Sequence, residues 1–163
     1  MDLRAWIMNR QILFHRRVRV EIKRLYKNVA PGVFHNSSER FDPAKCHPGT
    51  REIIIKEIMD WIETVDKDNF FLWLYGPAGA GKSAIAQTTA ELCHKAGLLA
   101  ASFLPSRTAH GRNDATILIL TLSYQLTISI PGILNYISSA TEEEPLIFNR
   151  SLEAQYQALV LKA

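Results

Sequence analysis

The sequence predicts an α/β fold, a parallel sheet with flanking helices, incomplete toward its C-terminal side and preceded by a basic helix. Three observations predict it. Phe70-Phe71-Leu72-Trp73-Leu74-Tyr75 is a continuous apolar run too short for a buried helix, as expected of a strand covered on both faces. Gly76 to Gly81 is a glycine-rich loop, followed over Lys82 to Lys95 by a helix with Ala84, Ile85, Ala90 and Leu92 available for packing. Leu98 to Leu104 is a second apolar run, so that strand, helix and strand follow one another within about thirty-five residues as a βαβ unit.

The elements divide the chain into three parts: an arm over residues 1–30, a linker over 31–49, and the sheet-forming portion over 50–163. In the arm, Leu3, Ile7, Phe14, Val18, Leu25 and Val29 recur at helical spacings with arginines around them. Eight Lys or Arg stand there against two acids, whereas the remaining residues hold eleven against fourteen, so the net charge of +3 belongs to the arm. Such a helix suits contact with an anionic membrane surface or a partner, or simply packing of its apolar stripe on a neighbouring element; the second is preferred.

Pro31-Gly32, Asn36-Ser37-Ser38 and His47-Pro48-Gly49 are turn signals without apolar periodicity and mark the linker. Thr50 then stands where it can cap a helix carrying Ile54, Ile58, Trp61, Ile62 and Val65 on one side, with Glu57, Asp60 and Glu63 on its solvated face. Gly97 follows the helix after the loop as a left-handed C-terminal cap, with His94 and Lys95 suited to the negative end of its dipole. Pro105 ends the second run early. Ala115 to Ile128 reads as a helix stopping before Pro131, and a short helix, an acidic turn at Glu142 to Glu144 and a last helix from Leu152 complete the chain.

Several classes are excluded on composition. Cys46 and Cys93 are far apart, each followed by one His, and support neither a disulfide framework nor a zinc cluster; a reducing, cytoplasmic compartment fits them. Arg4, Arg10, Arg16 and Arg17 interrupt the N-terminal region before a signal sequence or membrane span can build up. No nucleic acid is expected as a partner.

The chemistry concentrates in Gly76-Pro77-Ala78-Gly79-Ala80-Gly81-Lys82-Ser83, a match to the P-loop pattern placed between an apolar run and a helix. Glycines let consecutive backbone N–H groups turn toward phosphate oxygens, at the positive end of the helix that begins at Lys82 and continues through Ala84. Lys82 supplies a flexible cation for the β and γ phosphates, and the Ser83 hydroxyl is the candidate magnesium ligand. The implied cofactors are Mg2+ with ATP or GTP. Hydrolysis by this chain is not supported, because no apolar run ending in Asp follows Gly81 to hold magnesium from a second side; the alternatives are an active P-loop NTPase whose magnesium-binding acid lies outside this chain, or a relic domain with an interaction function only.

An ordered series of words resembles the NACHT-type P-loop NTPases of the STAND class, especially the nephrocystin-like N-terminal domains abundant in fungi. The series comprises Cys46-His47-Pro48-Gly49-Thr50-Arg51, Trp61, the run from Leu72 to Ala86, Ala100-Ala101-Ser102-Phe103, Ser106-Arg107, Thr121 to Leu126, and Ile130-Pro131. The resemblance covers about residues 33 to 160, the N-terminal portion of such a domain. It implies a nucleotide switch in a signalling protein, with protein partners or self-association in the full-length molecule. It also implies that Thr50 and Arg51 lie near the base or ribose, and it places Arg107 where the family has an arginine, equally readable as a solvated loop charge.

Overall fold

The computed structural model describes residues 16, 18–40, 42–66, 68–106 and 114–161. Leu3, Ile7 and Phe14 of the basic arm, and Arg107, lie outside the described residues. Two compact units emerge, one from residues 1–31 with 106–163 and the other from residues 32–105.

In the first unit a helix over residues 18–26 (α1) is joined by α2 (Leu118–Ser129), α3 (Ile133–Glu143) and α4 (Leu152–Tyr156). Each begins or ends for a local reason. Asp114 accepts hydrogen bonds from the Thr116 backbone N–H at 2.8 Å and hydroxyl at 2.7 Å, capping the 3-10 turn Ala115–Ile117 that leads into α2. Pro131 follows the extended Ile130 at the end of α2, and Gly132, at φ 91°, turns the chain into α3. Ser151 accepts from the Ala154 N–H at the start of α4, which runs on into a wider turn over Gln157–Leu161.

Leu25, Ile119, Leu120, Ile137, Ile147 and Leu159 form the buried cluster of this unit, drawn from α1, α2, α3, the 3-10 turn Ile147–Asn149 and the final turn. Some of the polar groups around it return their hydrogen bonds to backbone carbonyls. Thr141 returns its hydroxyl to the Ile137 carbonyl at 2.9 Å, and the Tyr136 hydroxyl donates to the Ala158 carbonyl at 2.8 Å. The Arg24 guanidinium lies 5.3 Å from the centre of the Phe148 ring and donates to the Pro145 carbonyl, holding α1 on this core through its charged face as well.

In the second unit α5 (Glu52–Glu63) packs against α6 (Lys82–Lys95). The inward faces carry Ile58 from α5 and Ala84, Ile85, Gln87, Ala90 and Cys93 from α6. α6 occupies the span its sequence predicts and ends at Gly97, whose φ of 72° lets the Leu98 N–H turn back to the Cys93 carbonyl at 2.8 Å. Thr50 is not the cap of α5: Arg51 takes that place at φ 58°, without a side-chain bond, while the Thr50 hydroxyl donates to the His47 carbonyl at 2.6 Å.

The expected α/β fold is overturned. The described residues contain helices and turns and no strand, so no parallel sheet forms among them. Phe70 to Tyr75 and Leu98 to Leu104 lack ladder structure, and a short extended run becomes a strand only when a neighbour takes its backbone donors and acceptors. The second run instead gives its Leu104 N–H to the Val33 carbonyl at 2.8 Å, a bond to a turn rather than to a strand. The first run stays uncovered, with Phe71 91% and Trp73 86% exposed. Among the described residues no helix is long and apolar enough to cross a membrane.

Candidate functional site

The glycine-rich loop is shaped by three positive φ values, 152° at Gly76, 81° at Gly79 and 83° at Gly81. Between them Pro77, Ala78 and Ala80 form an exposed turn closed by the Ala80 N–H on the Pro77 carbonyl at 3.3 Å. Gly81 is the N-cap of α6, and the first intrahelical bond runs from the Ile85 N–H to the Gly81 carbonyl. The N–H groups of Lys82, Ser83 and Ala84 therefore belong to the first turn, where a helix offers donors without intrahelical acceptors. Ala84 is buried under this turn, whereas Ser83 is exposed on it.

Lys82 folds back over the loop. Its Nζ donates to the Gly76 carbonyl at 2.7 Å and to the Pro77 carbonyl at 2.9 Å, so the ammonium sits within the curve of the loop. Arg51 arrives from the start of α5. A Cβ on Gly81 would stand 2.6 Å from Arg51 Nη2 and 2.8 Å from its Cζ, which shows that the guanidinium occupies the space a side chain at position 81 would need. Glycine is favoured there by the left-handed backbone at φ 83°, and a side chain at 81 would also push the flexible Arg51 guanidinium aside. Two cations thus flank the mouth of a helix N-terminus, an arrangement suited to an anion. Thr50 stands next to Arg51 with its hydroxyl committed to His47. The described residues hold no group of three or more His, Cys, Asp or Glu able to bind a metal ion.

A second polar feature of the same unit has no counterpart in the sequence reading. His35 is buried, and its imidazole lies beside that of His94, ring centres 4.8 Å apart. Burial and the neighbouring His94 hold the His35 imidazole below its ordinary pKa. Glu91 accepts from Lys45 at 2.9 Å and from Gln87 at 2.7 Å; burial pushes its carboxyl up, but these bonds more than offset that and leave it below the ordinary range. These side chains come from the segment around residues 35–45 and from the last turns of α6. No linear spacing signals the cluster, because the partners are about fifty residues apart and meet only on folding.

A family model described as Nephrocystin 3, N-terminal, matches residues 49–163. The chain belongs to that family. The nephrocystin 3 N-terminal match begins at Gly49, immediately before Thr50 and Arg51, and takes in the whole glycine-rich loop and α6. It also spans both units of the structure in part, since residues 106–163 lie in the helical one. No curated protein and no solved structure matches the chain.

Proposed function

We propose that the loop from Gly76 to Ser83 is a P-loop that binds the phosphates of ATP or GTP with magnesium, and that the nephrocystin-like domain serves as the regulatory switch of a NACHT/STAND-type signalling protein. The observation that carries this reading is the Lys82 ammonium held within a loop of left-handed glycines that ends on a helix N-terminus. On binding, phosphate oxygens take the place of the Gly76 and Pro77 carbonyls as partners of Lys82, and the first-turn N–H groups of α6 turn from orphan donors into anion ligands. Ser83, exposed in that turn, is the residue to hold magnesium. Arg51 adds a second cation beside Gly81.

Binding without turnover follows from the same inventory, because phosphoryl transfer needs an acid on the metal and a group that orients water. A membrane-surface role for the basic arm draws less support, since Val18 and Leu25 of α1 are buried. Protein partners or self-association of a longer molecule suit a switch better.

The test is thermal denaturation of the 163-residue chain with and without magnesium and ATP or GTP. A ligand that binds only the folded state stabilises it by about 2.7 kcal/mol at a hundredfold excess over its dissociation constant. Lys82→Ala is expected to abolish most of that gain, and Ser83→Ala to weaken it chiefly in magnesium, while phosphate release stays at background. Equal stabilisation of wild type and Lys82→Ala would reject the loop as the site, and sustained hydrolysis lost in Lys82→Ala would replace the switch with an enzyme.

A further inference from the structure

The run from Phe70 to Tyr75 in the second unit is open in two respects. Among the described residues none of its backbone N–H or carbonyl groups has a hydrogen-bond partner. Its rings also stand in water, with Phe71 91%, Trp73 86% and Tyr75 83% exposed, against 41% for Leu72 and a half-buried Leu74. Exposure that alternates residue by residue is the mark of an extended backbone, here with Phe71, Trp73 and Tyr75 on the outer face. We propose that this run is a self-pairing surface, through which two copies of the chain join as an antiparallel, two-stranded ribbon. The pairing gives a surface to the self-association considered above and does not depend on nucleotide.

The run carries no charge and no proline, and an unpaired edge of that composition is a template for another extended segment. Its own pattern favours a second copy. In an antiparallel pair related by a two-fold axis perpendicular to the ribbon, residues that stand opposite each other lie on the same face. With the axis at Trp73, the two Trp73 rings meet and Phe71 of each copy meets Tyr75 of the other. The bare rings of both copies then share one face of the ribbon as aromatic cross-strand pairs, while the open backbone groups of one edge find partners.

Charge selects the same arrangement. The run starts after Asp66-Lys67-Asp68, a net acidic end, and finishes at the glycine-rich loop, where Lys82 Nζ donates to the Gly76 and Pro77 carbonyls. Antiparallel pairing about Trp73 carries the exposed Asp68 of each copy to the level of Ala78 of the other, beside the carbonyls that hold Lys82. Parallel pairing in register would instead set Asp68 against Asp68 and Lys82 against Lys82. Pro77 has no N–H to offer, and the turn that follows it ends the ladder on that side. A contact this short stays below the roughly 1,200 Å² of weak, transient interfaces, so the pair forms in concentrated solution and the dilute chain is a single copy.

The experiment is sedimentation velocity on the full chain without nucleotide or magnesium, from about 2 μM to about 200 μM, with far-UV circular dichroism to confirm that each variant is folded. Wild type should rise toward the mass of two copies and stop there. Trp73→Glu, which sets two carboxylates face to face at the axis, should remain a single copy throughout. Asp68→Lys and Lys82→Asp should each weaken pairing about tenfold, because each turns both cross-copy ion pairs into like-charge contacts. An equimolar mixture of those two variants restores both pairs and should associate as well as wild type does. The proposal is overturned if wild type stays a single copy at the highest concentration, if its mass climbs past two copies, if Trp73→Glu associates normally, or if the mixture associates no better than either charge variant alone.

Discussion

In the unit built from residues 1–31 and 106–163, Leu25, Ile137, Ile147 and Leu159 are at most 1% exposed; in the unit built from residues 32–105, Phe71 and Trp73 of the most apolar stretch are 91% and 86% exposed. The difference lies in how each kind of segment satisfies its backbone. A helix closes its hydrogen bonds within itself and then needs only a neighbouring stripe to cover its apolar side, which α1, α2 and α3 provide for one another. An extended run has no internal partners and depends on neighbours for both its hydrogen bonds and its burial; Leu99, Phe103 and Leu104 of the second run find partial cover, whereas Phe71 and Trp73 do not. Apolar content therefore measures the drive to be buried and not the burial reached. The second unit holds its structure through α5 on α6 and through buried polar residues such as His35 and Gln87.

This contrast can be broken most decisively in the helical core. Ile137→Ala removes a side chain that is 1% exposed and should cost about 2–5 kcal/mol, read as a lowered urea midpoint by far-UV circular dichroism. A loss below about 1 kcal/mol would mean that the cluster is far looser than its burial indicates.

The polar packing of the second unit predicts a smaller, pH-dependent effect. Because burial holds the folded-state pKa of His35 below its ordinary 6.5, the unfolded chain takes up the proton first as pH falls. The stability this group contributes is fully present above about pH 6.5 and is lost as pH drops from there toward the folded pKa. Urea titrations between about pH 7.5 and about pH 5.5 should show wild type losing stability on acidification and His35→Gln losing less. Parallel pH profiles for the two proteins would assign the acid sensitivity elsewhere.

The smallest effect belongs to the exposed run. Phe71→Ser and Trp73→Ser should each change stability by no more than about 0.5 kcal/mol, since the native fold buries little of either ring. A cost of about 2 kcal/mol or more in equilibrium unfolding would place those rings in a packed environment and erase the contrast.

Much of the local structure was legible. The extent of α6, the left-handed Gly97 after it, the helix ending before Pro131 and the one beginning near Leu152 all follow from patterns that act within a few residues of chain, such as capping, glycine's tolerance of positive φ and proline's missing donor. The glycine-rich loop was legible for the same reason, because its turns and the helix start at Lys82 are encoded within eight consecutive residues. The sheet was misread. Phe70 to Tyr75 carries the composition of a covered strand, but covering is a property of the neighbours, and nothing within six residues states who they are.

By itself, then, the sequence determined most of the helices, their stops, the turns of the glycine-rich loop and membership of the nephrocystin 3 N-terminal family over residues 49–163. Only the tertiary structure decided that Arg51 leans on Gly81, that Leu25 closes the helical core, that the apolar run near Trp73 stays uncovered, and that His35 meets His94 and Glu91 across a basic cleft. The reason is range: caps and turns are settled by contacts between near neighbours in the chain, whereas burial, charge clustering and strand pairing depend on residues that approach only when distant segments fold together.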